Sequence, residues 1–99
     1  MQPLAAILPG LLEHMGLAEA AEGWRAVSEW PEIAGERVAR HSRASSFRDG
    51  TLTVEVEGSA WMHELGFLKP ALVRKLNQHL RTPVVREVRL VLARGGNLR

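Results

Sequence analysis

Leu4, Ile7, Leu8, Leu11, Leu12 and Met15 recur at spacings of three and four, which places them on one face of an amphipathic helix. Pro3 suits the first turn of that helix, where its missing N–H costs nothing. Pro9 and Gly10 interrupt the interior and predict a kink or a split into two short pieces, with Gly16 at the left-handed position beyond the end. A second helical segment follows with Leu17, Ala20, Ala21, Trp24 and Val27 in period, and its apolar face is expected to pack against a larger element. Trp30-Pro31 marks a boundary, after which Ile33, Ala34 and Val38 predict a short third helix toward His41. Gly35 falls inside that helix, a place that makes sense if another backbone passes close by.

Beyond Arg43 the period changes to two. Leu52, Val54 and Val56 face one way and Thr51, Thr53, Glu55 and Glu57 the other, the signature of a half-solvated strand. Asp49-Gly50 forms a two-residue turn of the type I′ kind and pairs Arg48 with Thr51 and Phe47 with Leu52. The arm before it, Ala44 to Arg48, is interrupted by two serines and is expected to carry a bulge or to lie near a sheet edge. Ser59 is placed to cap the next helix, where Trp61, Leu65, Leu68, Leu72, Leu76 and Leu80 form a core-facing stripe. Pro70 cannot donate to the carbonyl of Gly66, so a kink or a two-helix break is expected between them. Val88, Leu90 and Leu92 alternate with Glu87, Arg89 and Val91 in a final strand.

The resulting fold class is α+β: N-terminal helices, a β-hairpin, a long kinked helix and a last strand that completes a three-stranded sheet. Ninety-nine residues accommodate one domain, assigned to residues 1–94, with 95–99 as a flexible tail. The absence of cysteine removes disulfides and thiolate metal sites and permits a cytoplasmic setting. The longest nearly apolar stretch, Leu4 to Leu12, is too short to cross a bilayer, so no membrane partner is expected. The chain is expected to be a monomer with at most weak self-association.

The net charge of +2 conceals an uneven distribution. Residues 1–36 hold one base, Arg25, and six acids, whereas residues 37–99 hold twelve bases and five acids. An acidic end and a basic body suit a protein partner on one side and a polyanion on the other. Arg37, Arg40, Arg43, Arg48, Lys69, Arg74 and Lys75 are the candidate phosphate contacts. Glu29, Glu32 and Glu36, with Trp30 as support or anchor, are the candidate partner surface. Trp24 and Trp61 fall on packing faces and are assigned to the core, and Phe47 is the strand aromatic available for stacking.

Enzyme chemistry finds little support. His14, His41, His63 and His79 lie on different elements without metal-ligand spacing, and the one aspartate, Asp49, is accounted for by the turn. The serines have no GxSxG elbow, and no glycine-rich phosphate cradle is present. No catalytic residue, metal or cofactor is therefore assigned. No GxxG clamp stands between basic helical residues, which favours electrostatic, sequence-independent contact over base reading.

Trp30 with Ile33-Ala34-Gly35, Val38-Ala39-Arg40-His41-Ser42, Arg48-Asp49-Gly50-Thr51-Leu52-Thr53-Val54, Ser59-Ala60-Trp61-Met62-His63-Glu64-Leu65 and Leu72-Val73-Arg74-Lys75-Leu76-Asn77 together resemble the DciA family. The resemblance covers roughly residues 4–92. It implies a KH-like domain and a nucleoid-associated adaptor, without ATP hydrolysis of its own, that binds the hexameric replicative DNA helicase and assists its loading on single-stranded or junction DNA. Many relatives carry an extended basic arm, whereas this chain has a short tail. The alternative is a KH-like RNA-binding or ribosome-associated module.

Overall fold

The computed structural model describes residues 4–94 and Leu98, with side chains from Gly16 onward. The expected tail at 95–99 lies outside the described residues except for Leu98, as do Pro3 and the side chains of the Leu4 to Met15 face. The chain folds as α1 (Leu4–Ser28), α2 (Trp30–Ala34), α3 (Glu36–Ala39), β1 (Ser42–Arg48), β2 (Thr51–Val56), α4 (Ser59–Leu80) and β3 (Glu87–Leu92). The sheet order is β1-β2-β3. β1 and β2 run antiparallel, whereas β2 and β3 run parallel from Thr51↔Glu87 to Val56↔Leu92. A parallel neighbour needs a crossover, and α4 is that crossover. The fold is α+β with helices packed on a small mixed sheet, as the periodicity predicts.

The hairpin has the expected register, with Arg48 opposite Thr51 and Phe47 opposite Leu52. Asp49 and Gly50 take the two positive φ angles, 50° and 82°, that a type I′ turn requires. The serine-interrupted arm is both bulged, between Ala44 and Ser46, and at the sheet edge. Gly50 also supports the far side of the sheet, because its carbonyl accepts from the N–H groups of Arg86 (2.8 Å) and Glu87 (3.1 Å).

Leu65, Leu72, Leu76 and Leu80 from α4 are buried with Leu52, Val54 and Val56 of β2 and Val88 of β3. Trp61 and Leu68 flank this core half-buried. Each fully buried large side chain contributes about 1.5–3 kcal/mol. Leu92, expected on the same inner face as Val88 and Leu90, is 53% exposed at the C-terminal end of the strand.

Four local expectations are corrected or narrowed. α1 is one helix through Pro9, Gly10 and Gly16, its alanine, leucine and glutamate flanks being strong helix formers. Of the two outcomes expected at Pro70, a kink or a two-helix break, the break is the one excluded, since α4 is a single helix across it. Leu65 and Leu72 are buried on either side of it, and Gly66 is exposed, so the carbonyl freed by Pro70 faces water. Gly58, not Ser59, is the N-cap of α4, and Ser59 is its first helical residue. Gly35 separates α2 from α3 instead of lying within one helix. Nothing stands within 4 Å of a Cβ placed there, so its requirement is the φ of +90° and not a close neighbour.

The face α1 turns to the sheet differs from the one its pattern marks. Gly23, Ala26, Val27 and Trp30 follow a three-and-four spacing and are buried or half-buried, and a Cβ on Gly23 would run into the Phe47 ring. Small residues let the helix approach closely. That rotates the packing face by about 100° from Trp24, the turn between adjacent helical residues, leaving Trp24 54% and Leu17 71% exposed. Trp24 is therefore not a core residue. Phe47 is spent on this contact and is not free to stack on a ligand.

The two α1 glycines should respond oppositely to alanine. Gly16→Ala, with open space around it, should raise stability by about 0.5–1 kcal/mol. Gly23→Ala should lower it by about 1–3 kcal/mol through overpacking against Phe47. Urea unfolding of both variants measures the signs; equal shifts would contradict the packing described for α1.

Candidate nucleic-acid and partner surfaces

The seven candidate phosphate contacts divide by whether a carboxylate already holds them. Arg37 reaches Glu64 on α4 (3.0 Å), Arg40 reaches Glu36 (2.7 Å), and Arg43 crosses the hairpin to Glu55 (2.7 Å). Arg48 lies 3.9 Å from Asp49, a loose and exposed pair. Lys69, Arg74 and Lys75, all on α4, make no ion pair among the described residues. Exposed pairs contribute only about 0.2–1 kcal/mol, so the held arginines are weakly committed, whereas the α4 cations have their charge free. Arg74 lies ten residues beyond Glu64, about 15 Å along the helix axis. The cations therefore extend along α4 and do not gather at one point.

Arg37 has a second attachment. Its guanidinium carbon is 5.2 Å from the centroid of Trp61, on whose ring His41 stacks at 4.4 Å and 16°. His41 Nδ1 is in turn 3.2 Å from Glu57 Oε1. This cluster joins the end of α3, the end of β2 and the start of α4. It gives Arg37 and half-buried Trp61 structural work in place of a free binding face.

Arg81 is a cation the sequence pattern does not mark. It ends α4 in a left-handed conformation (φ 59°, ψ 30°), with the Thr82 N–H bonded to the Asn77 carbonyl at 3.2 Å. This is the hydrogen bond of a Schellman motif, whose left-handed residue is usually glycine. The lack of glycine hides the cap from a sequence reading. Asn77 then fixes the following turn, its Nδ2 donating to the Val85 carbonyl (2.8 Å) and its Oδ1 accepting from the Val85 N–H (2.9 Å). Arg74 and Arg81 consequently line one shallow concavity with Val73, Asn77, Gln78, Thr82 and Pro83.

On the partner side, Trp30 is 1% exposed and its Nε1 donates to Ser42 Oγ at 3.0 Å, while Ser42 donates to the Val38 carbonyl at 2.7 Å. It is a structural support and not a surface anchor. Glu36 is held by Arg40, and Glu32 is exposed. Glu29 ties α1 to α4, with Oε1 2.6 Å from His79 Nε2 and Oε2 accepting from Arg25 Nε at 3.0 Å. Among the described residues the large exposed apolar side chains lie elsewhere, at Leu17 and Trp24 of α1, Phe67 of α4 and Leu92 of β3.

Ligand atoms of Glu29, Glu32 and His79 lie within 4.8 Å of one another, a grouping of one histidine with two carboxylates that the sequence spacing does not show. The hydrogen bonds of Glu29 to His79 and Arg25 make this a helix-to-helix ion-pair cluster. No helix among the described residues is long and apolar enough to cross a membrane.

The family model described as "Dna[CI] antecedent, DciA" matches residues 3–90. The chain belongs to the DciA family. A UPF0232 protein of Streptomyces avermitilis is 33% identical over 85 residues, covering 84% of this chain and 47% of that protein. A UPF0232 protein of Rhodococcus jostii is 25% identical over 89 residues, covering 90% of this chain and 47% of that protein, and one of Bifidobacterium longum is 30% identical over 63 residues, covering 64% and 40%. The chain thus spans about half the length, or less, of these curated relatives.

The hydrogen bond from His79, with Arg25 adding to it, holds the Glu29 carboxyl below its usual pKa against the opposing effect of burial. The unfolded chain therefore takes up this proton more readily than the folded one. The stabilisation is fully present above the ordinary carboxylate pKa of about 4.3 and is lost as pH falls through the folded value. Glu29→Gln should flatten the fall in urea midpoint between neutral pH and about pH 3; curves that stay parallel to the unsubstituted protein would contradict the role assigned to this pair.

Proposed function

We propose that this DciA protein is a non-enzymatic adaptor that binds the replicative DNA helicase and assists its placement on single-stranded DNA. The observation that carries the DNA half is a group of cations without an ion-pair partner among the described residues, Lys69, Arg74, Lys75 and Arg81, from the middle of α4 to just beyond its end, on a helix whose one carboxylate, Glu64, is held by Arg37. Phosphate contact needs positive charge and little else, because it positions without reading bases. The paired Arg37, Arg40, Arg43 and Arg48 form a secondary set, available where a phosphate displaces a carboxylate. The α-β-β-α-β order with its mixed sheet supports the KH-like description.

The helicase half rests on α1. Leu17, Ala21 and Trp24, at spacings of four and three, share its exposed flank, and the sequence of the helix carries Glu13, Glu19 and Glu22 against Arg25 alone, with Glu29 just beyond its end. Exposed apolar residues on an acidic helix suit an apolar protein groove with a basic rim. Glu32 and Glu36 extend the acidic surface. Holding helicase and DNA on separate faces raises the effective concentration of each near the other.

Titrating a single-stranded oligonucleotide across salt tests the DNA half. Neutralising four phosphates gives a slope of roughly −3, and replacing Arg74, Lys75 and Arg81 by alanine should reduce its magnitude by about 2, with a smaller change when Arg37, Arg40 and Arg43 are replaced. Trp24→Ala should lower helicase recovery in a pull-down and leave DNA affinity unchanged. A slope insensitive to the α4 cations, or a preference for structured RNA, would contradict the reading.

A further inference from the structure

Phe67 is 75% exposed, more than any other large apolar side chain among the described residues. It lies on the outside of α4, opposite the leucine stripe. At 3.6 residues per turn, positions seven apart on a helix share a face and lie about 10 Å apart along the axis. Phe67 and Arg74 have that spacing, exposed Gln78 follows one turn on, and Arg81 at the left-handed cap beyond the helix lines the same concavity as Arg74. Pro70 and Ala71 are the residues between Phe67 and Arg74 on this side, and neither carries a long side chain. The result is a low strip with an aromatic ring toward its N-terminal end and two cations toward its C-terminal end.

The ring is oriented as well as exposed. His63, one turn earlier, meets Phe67 edge-on, with centroids 4.9 Å apart and planes at 90°. This contact defines the ring while its exposure leaves a face open. At the other end the left-handed cap fixes the start of Arg81, and Arg74 shares its concavity. No unpaired carboxylate of α4 opposes an approaching anion, since Glu64 is held by Arg37.

We propose that the outer face of α4 is a track for one unpaired nucleic-acid strand, in which Phe67, oriented by His63, stacks on a base while Arg74 and Arg81 contact phosphates beyond it. The track rests on the DNA reading above and adds a component that salt does not screen. Stacking on an aromatic ring tolerates any base, because every base presents a π-face. It also discriminates against duplex, whose bases are already stacked on one another. Charge complementarity favours this occupant over a protein helix, which would need acidic residues facing Arg74 and Arg81 to dock here.

The test compares a fluorescent oligothymidylate with an abasic oligonucleotide of equal length, binding each to the full chain and to its Phe67→Ala and Phe67→Trp variants. Circular dichroism and thermal melting confirm the fold, which an exposed side chain does not support. Phe67→Ala should weaken oligothymidylate binding about tenfold, leave abasic binding and the salt slope unchanged, and be rescued by Phe67→Trp. If Phe67→Ala binds both strands as the unsubstituted chain does, with the salt slope intact, the stacking proposal fails and the electrostatic reading stands. If the unsubstituted chain binds neither strand, both fail. Loss of helicase recovery with unchanged oligothymidylate binding would make this face a protein contact and would also overturn the proposal.

Discussion

Parallel pairing of β2 with β3 is the constraint from which the rest of the molecule follows. Two parallel neighbours cannot be joined by a turn, so the chain must travel back along the sheet, and α4 makes that return. The helix stays on the sheet because Leu65, Leu72, Leu76 and Leu80 bury against Leu52, Val54, Val56 and Val88. Once that stripe is committed inward, the opposite side of α4 must face solvent. Phe67, Arg74 and Gln78 are therefore presented by the same packing that holds the core, and Arg81 by the cap that ends the helix.

Function is separated in space by the same logic. α1 approaches β1 through Gly23 and Ala26, which turns Leu17 and Trp24 outward. The pair of Glu29 with His79 connects the C-terminal ends of α1 and α4, so the acidic, apolar helix and the cationic helix belong to one body. An adaptor requires this arrangement: two dissimilar surfaces whose relative position is held by a shared core.

Most of the architecture was legible in the chain because alternation and helical period report directly on which face is buried. The hairpin register, its bulge, the leucine stripe and the last strand all follow from local spacing. The misreadings have a common cause in contacts between distant elements. Pattern alone assigned Trp24 to the core, because it could not show that glycine and alanine would make the closer face. Trp30 reads as support or anchor in the linear sequence, since its hydrogen bond to Ser42 spans twelve positions. At Pro70 the linear reading admits a kink or a break, because the buried leucines on both sides, which hold one helix together, are not visible in it. The candidate cations were legible as residue types, but their pairing was not: Arg37 with Glu64 and Arg43 with Glu55 meet only after folding. Arg81 went unmarked because its left-handed cap lacks the glycine that usually signals one.

The central claim is that one folded body carries a cationic face on α4 and a separate apolar, acidic face on α1. Backbone amide chemical shifts of the isotope-labelled protein, followed during separate titrations with single-stranded DNA and with the replicative helicase, test it most directly. The account predicts DNA-induced shifts concentrated between His63 and Thr82 and helicase-induced broadening concentrated between Leu17 and Arg25. Perturbation of the same residues by both ligands, or a DNA footprint confined to α3 and β1, would contradict it.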